Sequence, residues 1–305
     1  MRKLSLICAF VLFSCGLQDW KWDDDTSMKA RMINALKEAL VLGSKTAASN
    51  LGDSSCVSNL AEIGECTTGY LGNKLVEIAV PDTVKEILDF IGEITSLSSS
   101  IKPLLQLAVG TQQYNSFISL GKYGDSIKVA LNRGAEKAAP ASVNVFKKAI
   151  TEMSFIDAKE ILSGDSTAAT SYLNTTTYDG LQRAFSPILE EPLNLLNPNK
   201  YWRPIVSNYK SFAQEYSNFL NSTPGTSALP GLPYGVNALP DDLSAYLAEY
   251  ATGKALDGLF LMVGKKEAEL RADPLGTVND AGEFITDSVG DLLRDIFTKA
   301  KNDQL

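Results

Sequence analysis

The sequence predicts an all-α protein: a single multi-helix, bundle-like domain over residues 27–305, with a disulfide-stapled loop and a Pro/Gly-rich loop. Three observations predict it. Apolar residues recur every three or four positions through most of the chain, the period of a helix with one buried face. No run of alternating apolar and polar residues makes a strand. Gly52, Pro140, Gly164 and Pro274 punctuate the periodic stretches.

A first helix is expected from about Ser27 to Leu51, with Met32, Leu36, Ala39, Leu40 and Ala47 on one face and Gly52 ending it. Asp82 can cap a second helix that carries Ile87, Leu88, Ile91 and Ile94. Residues 96–119 read as a helical insertion, with Pro103 near its start. Asp125 opens a helix that Pro140 breaks after Ala138. Val143, Phe146, Ala149, Ile150 and Met153 mark the next face. Ser154 to Asp157 has the form of a capping box, and Gly164 is the expected stop.

Asp165 or Ser166 is expected to cap a short helix through Leu173. A separate one runs from Thr177 to about Glu191, kinked or broken at Pro187. The next helix, Tyr201 to Leu220, is aromatic-rich, with Tyr201, Trp202, Tyr209, Phe212, Tyr216 and Phe219. Residues 221–240 hold four prolines and three glycines and read as a loop. A long helix from Asp241 or Asp242 to Arg271 contains Leu259 to Val263, apolar all round, as suits a central buried element. A last helix carries Ile285, Val289, Leu292, Leu293, Ile296 and Phe297.

The chain opens with Arg2 and Lys3, followed by an apolar run from Leu4 to Phe13. A basic start and a short apolar stretch are the layout of a secretory signal, and the run is too short to span a bilayer. Leu12-Phe13-Ser14-Cys15 resembles the bacterial lipoprotein lipobox, with Phe13 bulkier than the usual occupant. That resemblance implies removal of residues 1–14 and a diacylglyceryl group on the Cys15 sulfur. Two acyl chains are roughly what stable anchoring requires. Residues 15–26 then form an acidic tether with Asp23, Asp24 and Asp25. Gly16 is not the aspartate that holds enterobacterial lipoproteins at the inner membrane, so an outer-membrane location is expected.

The formal charge is −8, and the mature chain would carry 26 basic against 36 acidic residues. Such a balance argues against nucleic acid as a partner. Histidine is absent, which excludes a Ser-His-Asp triad, histidine-ligated zinc and a histidine proton shuttle. No dinucleotide fingerprint, P-loop, EF-hand loop or nucleophile elbow is present, and no cofactor is expected. Of the four cysteines, Cys8 leaves with the signal and Cys15 carries lipid. Cys56 and Cys66 are expected to pair, as an even set in an exported chain does. Closing that short loop would stabilise the fold by about 2.5–3 kcal/mol in the chain-entropy model.

Three blocks carry a family resemblance. The first is Leu131 to Pro140. The second runs through Phe146, Ile150, Met153, Asp157, Ala158, Ile161, Leu162, Gly164, Ala168 to Thr170, Tyr172, Phe185 and Pro187. The third is Lys254 to Phe260, followed by Glu267, Arg271 and Pro274. Together they resemble the bacterial domain of unknown function 4197, an exported family, over most of residues 28–298. The departures are the disulfide loop, the insertion at 96–119 and the loop at 221–240. The resemblance implies an all-α exported protein and brings no catalytic residues.

Two groups of residues could carry function. Asn132, Arg133 and Glu136 lie within one helical turn, and Asp257 stands in an otherwise apolar stretch where burial would demand a partner, Arg133 or Lys254. They form either a polar pocket, with Glu136 or Asp257 as acid or base, or an internal ion-pair network. The aromatic helix either lines a groove for an apolar ligand or envelope protein, or packs in the core. The expected function is a lipid-anchored envelope protein that binds or scaffolds without catalysis. The alternative is a histidine-free hydrolase using paired carboxylates.

Overall fold

The computed structural model describes residues 26–55, 66–195, 198–235, 244–273 and 287–302. At 26–28, 191–195, 198–205, 244–245, 287–289, 296 and 299–302 the description is of the backbone alone. The signal, Cys15, the tether up to Asp25, Cys56 with the loop up to residue 65, the residues after 235 in the Pro/Gly-rich loop, Asp241, Asp242 and Ile285 lie outside the described residues.

Among the described residues every regular element is helical. Eleven α-helices are described: α1 Thr26–Gly52, α2 Asp82–Ser96, α3 Ile101–Val109, α4 Thr111–Ile118, α5 Tyr123–Ala138 and α6 Ser142–Glu152. They continue with α7 Phe155–Ser163, α8 Ala168–Leu195, α9 Pro198–Ser222, α10 Ser244–Ala272 and α11 Asp287–Asn302. The centre is built from α8 and α10, which pack along each other, with α5 against α8 and α1 against α10 and α6. Burial follows the periodicity: Leu131, Phe146, Ile150, Leu181, Phe185, Leu189, Leu256 and Leu259 are fully enclosed.

Several boundaries differ from expectation. Asp82 opens α2, but Pro81 occupies the cap position and makes no side-chain cap. The insertion divides into α3 and α4 at Gly110, whose φ of 88° ends the first helix. The two helices expected on either side of Asn174 are one, α8. Threonine disfavours a helix mainly by crowding the preceding turn. Here the hydroxyls of Thr175, Thr176 and Thr177 donate to the carbonyls of Ser171, Tyr172 and Leu173, four residues back, and the helix continues. Pro187 stands on the exposed side of α8, while Leu181, Phe185 and Leu189 fix the same helix in the core at four-residue spacing. The capping box at Ser154 and Asp157 forms as expected, with Gly164 at the end of α7.

Candidate functional site

Between the cysteine loop and α2 runs an irregular segment, residues 66–81, much of it buried against α5 and α10. Its backbone N–H and C=O groups have no helix to pair them, so other groups must. The buried face of α5 supplies two side chains four residues apart. Asn132, fully buried, accepts from the Ile78 N–H at 2.8 Å and donates to the Ile78 carbonyl at 2.8 Å. It thereby gives one residue the two bonds that a neighbouring strand would give. Its amide also donates to the Lys128 carbonyl at 2.8 Å.

Glu136 does the corresponding work one turn on. Its Oε1 accepts from the Tyr70 N–H at 3.1 Å and the Leu71 N–H at 3.0 Å. Its Oε2 accepts from Arg133 Nη1 at 2.6 Å, and Arg133 also donates to the Ser54 carbonyl at 2.9 Å. The carboxylate is 1% exposed and the guanidinium side chain 30%. Arg133 therefore brings the countercharge that a buried carboxylate needs while its outer side meets solvent. The approach depends on Gly69: its φ is +68°, and a Cβ there would lie 2.6 Å from the Asp53 carbonyl and 2.8 Å from Glu136 Oε1.

Tyr70 completes the clamp. Its ring is fully buried and its hydroxyl donates to the Ala255 carbonyl in α10 at 2.6 Å. Burial first, and the Glu136 charge second, push that hydroxyl well above the ordinary tyrosine range. At the segment's other edge, Glu77 accepts from the Gly72 N–H at 2.9 Å and pairs with Lys128 at 2.9 Å.

Of the five polar candidates, the structure brings Asn132, Arg133 and Glu136 together and leaves Lys254 and Asp257 apart. Asp257 is not buried. It stands on the outer stripe of α10 with Lys254, its side chain 68% exposed, and the two pair at 3.6 Å. Leu261, four residues on, is 44% exposed, so the stretch expected to be apolar all round has an outer side. The carboxylate pair that the hydrolase reading needs is not assembled. Both oxygens of Glu136 are committed to backbone amides and a guanidinium, and Asp257 faces away from them.

A second staple escaped the sequence reading. Glu267, 4% exposed, accepts at Oε1 from the Ala169 N–H at 2.9 Å, and at Oε2 from the Thr170 N–H and hydroxyl, both at 2.8 Å. It caps the first turn of α8, where a negative charge is favoured. Arg271 donates to Glu267 Oε1 through Nε at 3.0 Å and Nη2 at 2.8 Å, and to the Ile161 carbonyl near the end of α7 at 2.8 Å. One ion pair on α10 thus closes both helix ends at the α7–α8 junction. The i,i+4 spacing of the pair was the signal available.

The aromatic helix packs inward where its side chains are described. Phe212 stacks on Phe117 with centroids 4.2 Å apart, and Tyr216 meets Phe90 edge-on. The Tyr209 and Tyr216 hydroxyls donate to the carbonyls of Tyr234 and Pro230, so this helix also holds the Pro/Gly-rich loop. An open surface groove of about 580 Å³ lies along α7 and α8, lined by Asp157, Glu160, Asp165, Tyr172 and Thr176 among others, away from the clamp. Among the described residues no set of three or more acidic or cysteine side chains could hold a metal ion. None of their helices is long and apolar enough to cross a membrane.

No curated protein and no solved structure matches the chain. A family model does, over residues 106–281, a narrower span than 28–298; it begins inside α3 and takes in the loop at 221–240. The match holds the clamp residues of α5, the α7–α8 staple and most of the central helices, and it covers more than half of the chain: the protein belongs to the family of proteins of unknown function DUF4197.

Proposed function

We propose that the protein is a lipid-anchored, non-catalytic module of the bacterial cell envelope, tethered through Cys15 and serving as a scaffold or binding surface. The observation that carries the non-catalytic part is the state of Glu136. A general acid or base must present a lone pair or proton to a substrate. This carboxylate spends both oxygens holding the chain's own backbone. Tyr209, Phe212 and Tyr216, the described aromatic residues best placed for an apolar groove, are core side chains, which favours an external partner over an enclosed apolar ligand. The anchoring part is supported by the basic start, the short apolar run and Leu12 to Cys15.

The pairing of Cys56 with Cys66 belongs to the same reading, since disulfides persist in oxidising compartments. Its support is the even pair of cysteines that remains once Cys8 leaves with the signal and Cys15 carries lipid.

Labelling cells with a radioactive fatty acid tests the anchor. Label should enter the full chain and disappear in Cys15→Ala; equal labelling of the two would overturn it. Purified full chain carrying Glu136→Gln tests the clamp. It should be less stable yet indistinguishable in partner capture under folding conditions, and an activity abolished by this change alone would restore the hydrolase reading.

A further inference from the structure

The acidic residues are distributed unevenly. Residues 94–124 contain Lys102 and Lys122 and no Asp or Glu. Residues 192–240 contain Lys200, Arg203 and Lys210 and a single acid, Glu215. One of the chain's 36 acidic residues therefore falls in these two stretches, which together carry +4, and the remainder of the mature chain, without Arg2 and Lys3, carries −14. The fold joins them: α3 and α4 pack on each other and on α9.

This unit also bears the most exposed large apolar side chain described, Leu107, and a second, Leu104, which Ile156 on α7 exceeds at 67%. Leu107 is 81% and Leu104 62% exposed, and Pro103 and Ala108 beside them are exposed too. These four residues share one stripe of α3, whose opposite side buries Leu105 and Val109. Along α4 the exposed residues are Thr111, Gln112, Gln113 and Asn115, polar and uncharged.

We propose that the face formed by α3, α4 and α9 lies on a phospholipid bilayer, with Leu104 and Leu107 inserted among the headgroups. This rests on the reading that the chain is held beside a bilayer. The charge distribution selects lipid over protein as the occupant. A remainder of −14 is repelled by anionic headgroups, and the +4 unit is the part that is not. Size argues the same way. A stable protein interface takes about 800 Å² from each partner, whereas one stripe of four residues is a small patch. Insertion into the interfacial zone needs no complementary shape, only apolar side chains with cations or neutral polar groups around them.

The test is photocrosslinking in cells carrying the full chain, with Leu107→p-benzoylphenylalanine and, as control, Leu261→p-benzoylphenylalanine on α10. Both positions are exposed, so both variants should fold. A phospholipid adduct from position 107 several-fold above that from 261 is the expected result. Adducts to protein alone at 107, equal lipid yield at both positions, or no adduct at 107 would each overturn the proposal. Fatty-acid incorporation at Cys15 is read in the same cells. An acylated chain without a lipid adduct at 107 loses the docking face and keeps the anchor. A lipid adduct at 107 without acylation keeps the docking face and loses the anchor.

Discussion

Glu136 and Tyr70 are 66 positions apart in sequence, yet the carboxylate of one accepts the backbone N–H of the other at 3.1 Å. The Tyr70 hydroxyl then reaches the Ala255 carbonyl at 2.6 Å. These contacts lock α5, the irregular segment and α10 to one another. Glu136→Gln keeps volume and an acceptor oxygen but loses the charge shared with Arg133, at a cost of about 1.5–3 kcal/mol. Glu136→Ala leaves two buried amides unpaired and should cost about 3–5 kcal/mol. Urea unfolding of the full chain should rank wild type, Gln and Ala in that order. Equal midpoints for all three would remove the clamp from the account.

The helices were legible because each buries one face, and burial writes a period into the sequence. Asn132, Arg133 and Glu136 were legible as a group because helical spacing puts them on one turn. Their partners were not. The clamp's targets are backbone N–H and C=O groups of Tyr70, Leu71, Ile78 and Ser54, and a backbone group has no residue type to announce it. Asp257 misled for a related reason. A carboxylate among apolar neighbours reads as buried only if its own stripe faces inward, and its neighbour at i+4, Leu261, is itself exposed.

Gly258 and Gly253 lie on the same helix and should respond with opposite signs. Alanine in place of glycine in a helix interior is worth about 1 kcal/mol of stability. At Gly253 nothing lies within 4 Å of an added Cβ, so Gly253→Ala should stabilise by up to about that amount. At Gly258 the Cβ would meet the Tyr70 ring at 2.8 Å and Val76 at 3.1 Å. The ring has little freedom to move because its hydroxyl is bonded to Ala255. Overpacking of this kind costs about 1–3 kcal/mol, so Gly258→Ala should be a net loss. Thermal melts of both variants decide it, and stabilisation by both would show that the ring can yield.

Alkaline pH should probe the aromatic helix. Burial pushes the Tyr209 and Tyr216 hydroxyls up to about 12, and the nearby Glu93 charge adds to the effect at Tyr216. An unfolded tyrosine ionises near 10. The fold favours the protonated hydroxyls, so their contribution is complete below about pH 10 and is lost as pH rises toward the folded value near 12. The urea midpoint should therefore fall as pH climbs above about 10. Tyr216→Phe gives up the bond to Pro230, about 1 kcal/mol at neutral pH, and should show a shallower alkaline fall. A slope equal to wild type would mean that Tyr216 ionises as freely in the fold as outside it.

The α7–α8 junction allows the sharpest separation of local from global effects. Glu267 caps α8 and Arg271 closes α7, and each also orients the other through two nitrogen–oxygen contacts. Arg271→Lys keeps the charge but loses the planar fork, so a single ammonium must choose between the carboxylate and the Ile161 carbonyl. Glu267→Gln retains acceptors for one amide while presenting an NH₂ to the other donors, and should cost about 2–3 kcal/mol. The two changes share partners, so the double variant should lose less than the sum of the singles. Hydrogen exchange provides the local readout. The Ala169 and Thr170 amides should lose protection in Glu267→Gln by a larger factor than amides in the middle of α8, such as those of Leu181 and Phe185. Uniform loss along the helix would mean that Glu267 acts only through global stability, and unchanged protection at Ala169 and Thr170 would mean that it does not cap α8.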